Sequence, residues 1–337
     1  MTNARPLSAL LALALLASGS LAACSGDVVV DSPTQSESQS GTPNLDAERI
    51  DAMLREAQET IDEADKAGKA ELLTERVSDP ALKMRAAQYT LASKTGAAVP
   101  HLDLTPQLLT VTNSAEWPRV VVDISKAESG ALPAAYVFVQ EDARSGYKLQ
   151  NWTRLLGGTK ISTLSVQEGS PYLAPDAAGF VVTPKDAIAK YAEVLNSGTA
   201  GSDLFTADEF TQNSYLKTVK DLNEAVSSAG TVTAKAQTGD FPVTGVLLQD
   251  GSALVSGTVT YSHTYDRTIA RSKMQLGGSP AALAGDANVV GKVTVNYLLN
   301  VLIRVPVEGS NDKASVIGVE RAIESVTRDD AAKPEGE

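Results

Sequence analysis

The sequence predicts an α+β fold arranged as two successive bodies, and three observations carry the prediction. Apolar residues recur at helical spacing after Leu45 and change to a period of two after Leu108. Helices followed by long β-rich stretches return a second time after Thr183. With 337 residues, 43% of them hydrophobic, the chain is long enough for two cores and too apolar to be disordered.

The first element in chain order is a leader. Arg5 and the terminal amine make a short positive region, and Leu7 to Leu16 form an apolar run broken only by Ser8. That run is too short to span a bilayer and reads as a signal-peptide core, giving residues 1–23 as a signal peptide. Leu21-Ala22-Ala23-Cys24 then resembles the bacterial lipobox, and Cys24 is the one cysteine in the chain. The resemblance implies a diacylglycerol on the Cys24 sulfur, cleavage in front of it, and a second acyl chain. Two chains give stable anchoring where one is marginal. It places the protein outside the cytoplasm, lipid-anchored to the outer face of the cytoplasmic membrane. Residues 24–44 read as the acylated cysteine and a flexible tether, because Ser25 to Asn44 is polar and holds no aromatic residue.

Residues 45–170 read as the first α+β domain. Leu54, Ala57, Ile61 and Ala64 form a helical stripe that Gly68 can terminate. Asp79 to Ser93 predicts a second helix, with Pro80 in its first turn and Leu82, Met84, Ala87 and Leu91 apolar. Strands are predicted over Leu108 to Thr112, Arg119 to Ile124, Ala135 to Val139 and Lys148 to Leu156. Asp142 to Gly146 supplies a hairpin turn.

Residues 177–328 read as the second domain. Ile188, Tyr191, Ala192 and Leu195 make a helical stripe, and Ala253 to Tyr265, Lys292 to Val305 and Ala314 to Val326 predict long strands. Asp203-Leu204-Phe205-Thr206 echoes Glu71-Leu72-Leu73-Thr74, and Leu216-Lys217 echoes Leu82-Lys83, which suggests tandem duplication. Long strands wrapped on N-terminal helices resemble the NTF2-like (cystatin-related) roll, so two tandem NTF2-like bodies with curved antiparallel sheets are expected. Residues 329–337 read as a polar tail.

Composition excludes much chemistry. One Cys rules out internal disulfides and thiolate metal sites, and two His cannot make a three-His metal centre. A formal net charge of −12 has the wrong sign for a nucleic-acid binder. No cofactor or metal is implied. Ser214-Tyr215-Leu216-Lys217 fits Ser-x-x-Lys, but Lys94-Thr95-Gly96 precedes it, in the wrong order for a penicillin-recognising enzyme.

Two residue groups remain. Glu116-Trp117-Pro118-Arg119-Val120, Asp142 to Leu149 and Trp152 to Gly158 resemble uncharacterised actinobacterial lipoproteins that share a domain of unknown function. That family has no assigned activity, so no catalytic residue carries over. Trp117, Arg119, Arg144, Tyr147 and Trp152 are nevertheless a candidate binding surface, since aromatic residues and Arg dominate interface hot spots. On a strand, His263 shares a face with Tyr261 and Tyr265, and these with Arg321 form a candidate pocket. The expectation is a non-catalytic binding or scaffolding module, with a cell-envelope protein or glycan as partner. The alternatives are a carrier of a small apolar ligand and, behind it, an enzyme with a dispersed acid/base site.

Overall fold

The computed structural model describes residues 28–31, 42–127 and 131–336. Its architecture is α+β, with a large antiparallel sheet. A short strand, β1 (Val29–Asp31), opens the described chain.

Helix α1 (Ala47–Ala67) starts where the Asp46 carboxylate accepts from the Arg49 amide at 2.9 Å, and it ends at Gly68 in the left-handed region. Its stripe of Ile50, Leu54, Ala57, Ile61 and Ala64 is buried. Helix α2 (Ala81–Thr95) packs beside it through Met84 and Ala87. Between the helices lies a buried polar network. Arg85 Nε donates to Asp65 at 2.9 Å, Arg85 Nη2 pairs with the other carboxylate oxygen, and the Tyr89 hydroxyl donates to Asp65 at 2.6 Å. Strands β2 (Pro106–Val111), β3 (Arg119–Ser125), β4 (Ala134–Gln140) and β5 (Lys148–Leu155) follow as an antiparallel meander under the two helices.

The second half repeats that order with longer strands. Short strands β6 (Lys160–Ser162) and β7 (Tyr172–Leu173) lead into α3 (Pro184–Ser197). A π-helix over Phe210–Leu216 runs directly into α4 (Lys217–Val226). Then come β8 (Gly230–Thr238), β9 (Thr244–Leu247), β10 (Ala253–Arg267), α5 (Gly278–Ala284), β11 (Lys292–Val305) and β12 (Ser315–Asp329). Gly257 lets α3 approach β10 closely, since a Cβ there would stand 2.6 Å from Ile188.

The two halves share one sheet. Its order is β2-β3-β4-β5-β12-β11-β10-β9-β7, with β8 paired to the far part of β10. The joint is β5 on β12, Leu155 against Gly318 and Arg154 against Val319. The ends of this path also meet. The Ser170 amide donates to Val111 O at 2.7 Å, the Asn113 amide donates to Ser170 O at 3.1 Å, and the Leu247 amide donates to Pro171 O at 3.2 Å. The sheet therefore curls back on itself into a barrel. Val120, Val122, Val137, Leu155, Val246, Leu254 and Leu302 fill the inside, and the space among them is too tight for a water molecule. A polar seam crosses the same interior. Asn151 Nδ2 donates to Gly257 O at 3.2 Å, the Thr258 hydroxyl to Asn300 Oδ1 at 2.8 Å, and Asn300 Nδ2 to Trp152 O at 3.3 Å.

Three expectations need correction. The ranges 45–170 and 177–328 do not form separate sheets, because β5–β12 pairing and the 170–173 segment join them, and β7 lies in the supposed linker. The region after Cys24 is not wholly a free tether. β1 pairs in parallel with β6, and Val28 and Val30 pack on the barrel wall, which follows from three consecutive valines in an otherwise polar stretch. The polar tail begins docked, since Asp330–Ala332 forms a 3-10 turn against Gly291. The short echoes also diverge. Glu71 to Leu73 lies in a 3-10 turn, whereas Phe205 bridges to Ala314.

Candidate functional site

The first candidate group divides in the structure. Trp152 stands opposite Tyr136 across β4 and β5 and is 2% exposed in the core beneath α1 and α2, so it is not a surface residue. Arg144 is exposed in the Asp142 turn, where the Asp142 carboxylate accepts from the Arg144 and Ser145 amides at 2.7 and 3.0 Å. Trp117, Arg119 and Tyr147 do gather. The Arg119 guanidinium carbon stands 4.1 Å from the centroid of the Trp117 ring, and both side chains are half-buried. Tyr147 is buried beside them with its hydroxyl unpartnered, and Arg119 Nε is likewise without an acceptor. Burial pushes the Tyr147 hydroxyl up to about 12, so it stays a donor at neutral pH.

The second group is drawn together more tightly, and two residues absent from the sequence reading complete it. On β10, alternation puts Tyr261 and His263 on the face that α3, the π-helix and α4 cover. Register places Tyr297 of β11 directly opposite Tyr261, with the two rings stacked at 4.5 Å. Tyr215 comes down from the π-helix, edge-on to Tyr261 at 5.1 Å. Asp208 starts that helix by accepting from the Thr211 amide at 2.8 Å and the Thr211 hydroxyl at 2.7 Å. The His263 ring lies 5.1 to 6.1 Å from all three tyrosines. Arg321 of β12 stands beside Tyr261 and Tyr297 and enters no ion pair with a carboxylate among the described residues. Tyr265 lies further along the same face and packs instead with Val232, Met274 and Leu276.

Several polar atoms of this cluster are unpaired. The Tyr215 hydroxyl and both His263 ring nitrogens are buried without a hydrogen-bond partner, while the Tyr261 hydroxyl faces the Arg321 guanidinium, which hydrogen-bonds it. Burial, then the Arg321 charge, lowers His263 to about 4, so its imidazole is neutral at pH 7. Burial pushes Tyr215 up to about 12 and raises Tyr261 as well, so both hydroxyls keep their protons. The site thus presents O–H and N–H donors around one guanidinium. Sequence alternation finds His263 with Tyr261. Tyr297 needs the β10–β11 register and Tyr215 needs the π-helix, and neither has a sequence signal.

Elsewhere, Asp123 on β3 is fully buried with both carboxylate oxygens unpartnered, and burial followed by Asp103 holds it well above the usual carboxylate range. Among the described residues no helix is long and apolar enough to cross a membrane. Cys24 lies outside the described residues.

A family model described as a domain of unknown function (DUF8094) matches residues 42–327, spanning both halves of the shared sheet. No curated protein matches, and no solved structure matches.

Proposed function

Because the chain belongs to the family of the domain of unknown function DUF8094, which supplies no activity to carry over, we propose its role from the residues themselves. The protein is a secreted, lipid-anchored actinobacterial lipoprotein that works without catalysis as a binding or scaffolding module of the cell envelope. Its anchor is a lipid on Cys24 at the outer face of the cytoplasmic membrane, and its partner is an envelope protein or glycan. Its two halves, each a set of helices followed by antiparallel strands, descend from a duplicated NTF2-like unit fused edge to edge.

One observation carries the binding reading. Arg119 is stacked on Trp117 at 4.1 Å, half-exposed, and in no ion pair among the described residues. A preformed aromatic–arginine pair with unused donors is the kind of surface that anchors an interface.

Two measurements test the proposal. Cys24→Ser is expected to move the protein from the membrane to the soluble fraction, and a mutant that stays with membranes overturns the anchor. An envelope fraction passed over the immobilised full chain is expected to leave a component that Trp117→Ala or Arg119→Ala retains about tenfold less well. Equal retention by wild type and both variants overturns the surface.

A further inference from the structure

The Tyr–His–Arg cluster has features that packing alone does not account for. A buried polar atom without a partner costs about 1–3 kcal/mol. Here three such atoms, the Tyr215 hydroxyl oxygen and both His263 ring nitrogens, lie on two adjacent side chains, each 2% exposed. The Arg321 guanidinium stands beside them, hydrogen-bonded to Tyr261 but in no ion pair with a carboxylate among the described residues. The backbone contributes a second peculiarity. A seven-residue π-helix is rare, and such segments are frequent at functional sites. This one places Phe210 and Tyr215, five positions apart, on one side with ring centroids 6.4 Å from each other, and it delivers Tyr215 onto Tyr261.

We propose that Tyr215, Tyr261, His263 and Arg321 bind a small organic oxyanion, a carboxylate or a phosphate ester, entering past the partly exposed Tyr297 and Arg321. The chemistry of the groups selects that class. Arg321 brings a permanent charge and a planar fork of donors that fits two oxygens of one anion. Tyr215 and Tyr261 add hydroxyl donors, and neutral His263 has one N–H to give. The groups facing His263 are Tyr215 from the π-helix, Tyr261 from its own strand, Tyr297 from β11 and Arg321 from β12, and none is an acid ionised at neutral pH. A cation has no counter-charge there. A purely apolar ligand leaves the Tyr215 and His263 donors unmet. The stacked Tyr261–Tyr297 pair supplies an aromatic wall for the organic part of the ligand. This site is independent of the Trp117–Arg119 surface, which lies on the first half of the sheet.

The chain holds two histidines, and His101 is exposed, so imidazole proton NMR of the full chain reads His263 against an internal control. Benzoate and inorganic phosphate are the probes, titrated separately at neutral pH and millimolar concentration. Saturable movement of the His263 resonance with either probe, His101 staying fixed, is the expected result, and the probe that acts says which oxyanion the site prefers. The bound anion should also raise the pH at which His263 titrates, because a negative charge beside it favours the imidazolium. Arg321→Gln is expected to weaken binding about tenfold or more, with Arg321→Lys intermediate. A His263 resonance that neither probe moves overturns the proposal. So does binding that is equally tight in Arg321→Gln.

Discussion

Two arginines in this protein face opposite circumstances. Arg85, on α2, is almost wholly buried and fully used, since Asp65 takes its fork and Gln88 accepts from Nη1 at 2.7 Å. Arg321, on β12, is partly buried among tyrosines and a neutral histidine, with no carboxylate paired to it among the described residues. The first arrangement is a finished structural joint between α1 and α2. The second is engaged by Tyr261 alone and has donors left over. A desolvated charge is expensive unless it is paired and hydrogen-bonded, and Arg321 has the Tyr261 hydrogen bond without an ion pair.

The largest expected effect breaks the finished side of this comparison. Arg85→Met leaves Asp65 charged and deprived of its partner, and should destabilise the protein by about 3–5 kcal/mol in urea unfolding. A loss below about 1 kcal/mol would mean that the network is ornamental.

The next effect belongs to the unfinished side and follows pH. His263 sits at about 4 in the fold against 6.5 for an ordinary histidine. Between those values the unfolded chain binds the proton and the folded chain does not. Its contribution to stability is therefore complete above about pH 6.5 and is lost as pH falls towards 4, about 3 kcal/mol in all. His263→Gln should flatten that part of the stability–pH curve. An unchanged slope would show that the imidazole is not desolvated.

The smallest effect is the sharpest contrast. Arg321→Met should leave stability within about 1 kcal/mol of wild type, or raise it, because the fold loses no ion pair with the guanidinium. A loss as large as that for Arg85→Met would make Arg321 a structural residue.

Much of the scaffold is legible in the sequence because its signals are local. The Leu54 to Ala64 stripe, the glycine at position 68 and the apolar alternation from Val293 to Val305 each predict an element that the structure contains. What escapes is edge pairing and closure. β8 and β9 are short or largely polar, β7 has two residues, and the bonds that close the barrel depend on Ser170 meeting β2 across a long stretch of chain. Trp152 misleads for a related reason, since alternation on β5 does not say which face meets the helices. The interior site is half-legible. His263 and Tyr261 share a strand, but Tyr215 escapes because a period of 3.6 residues does not describe a π-helix.

The docking of β1 on β6 sets a stand-off distance. Val28 lies four positions after Cys24, so a lipid on that sulfur, as proposed, would join the chain within about 14 Å of the barrel wall. The Val29 amide bonds to Thr159 O, just beyond the C-terminal end of β5, whereas Tyr147 and the Trp117–Arg119 pair lie near its beginning. Eight residues of strand, about 26 Å, separate the two ends. Under the anchoring proposed at Cys24, the lipid would attach near the end of β5 remote from the aromatic–arginine pair, about one strand length away.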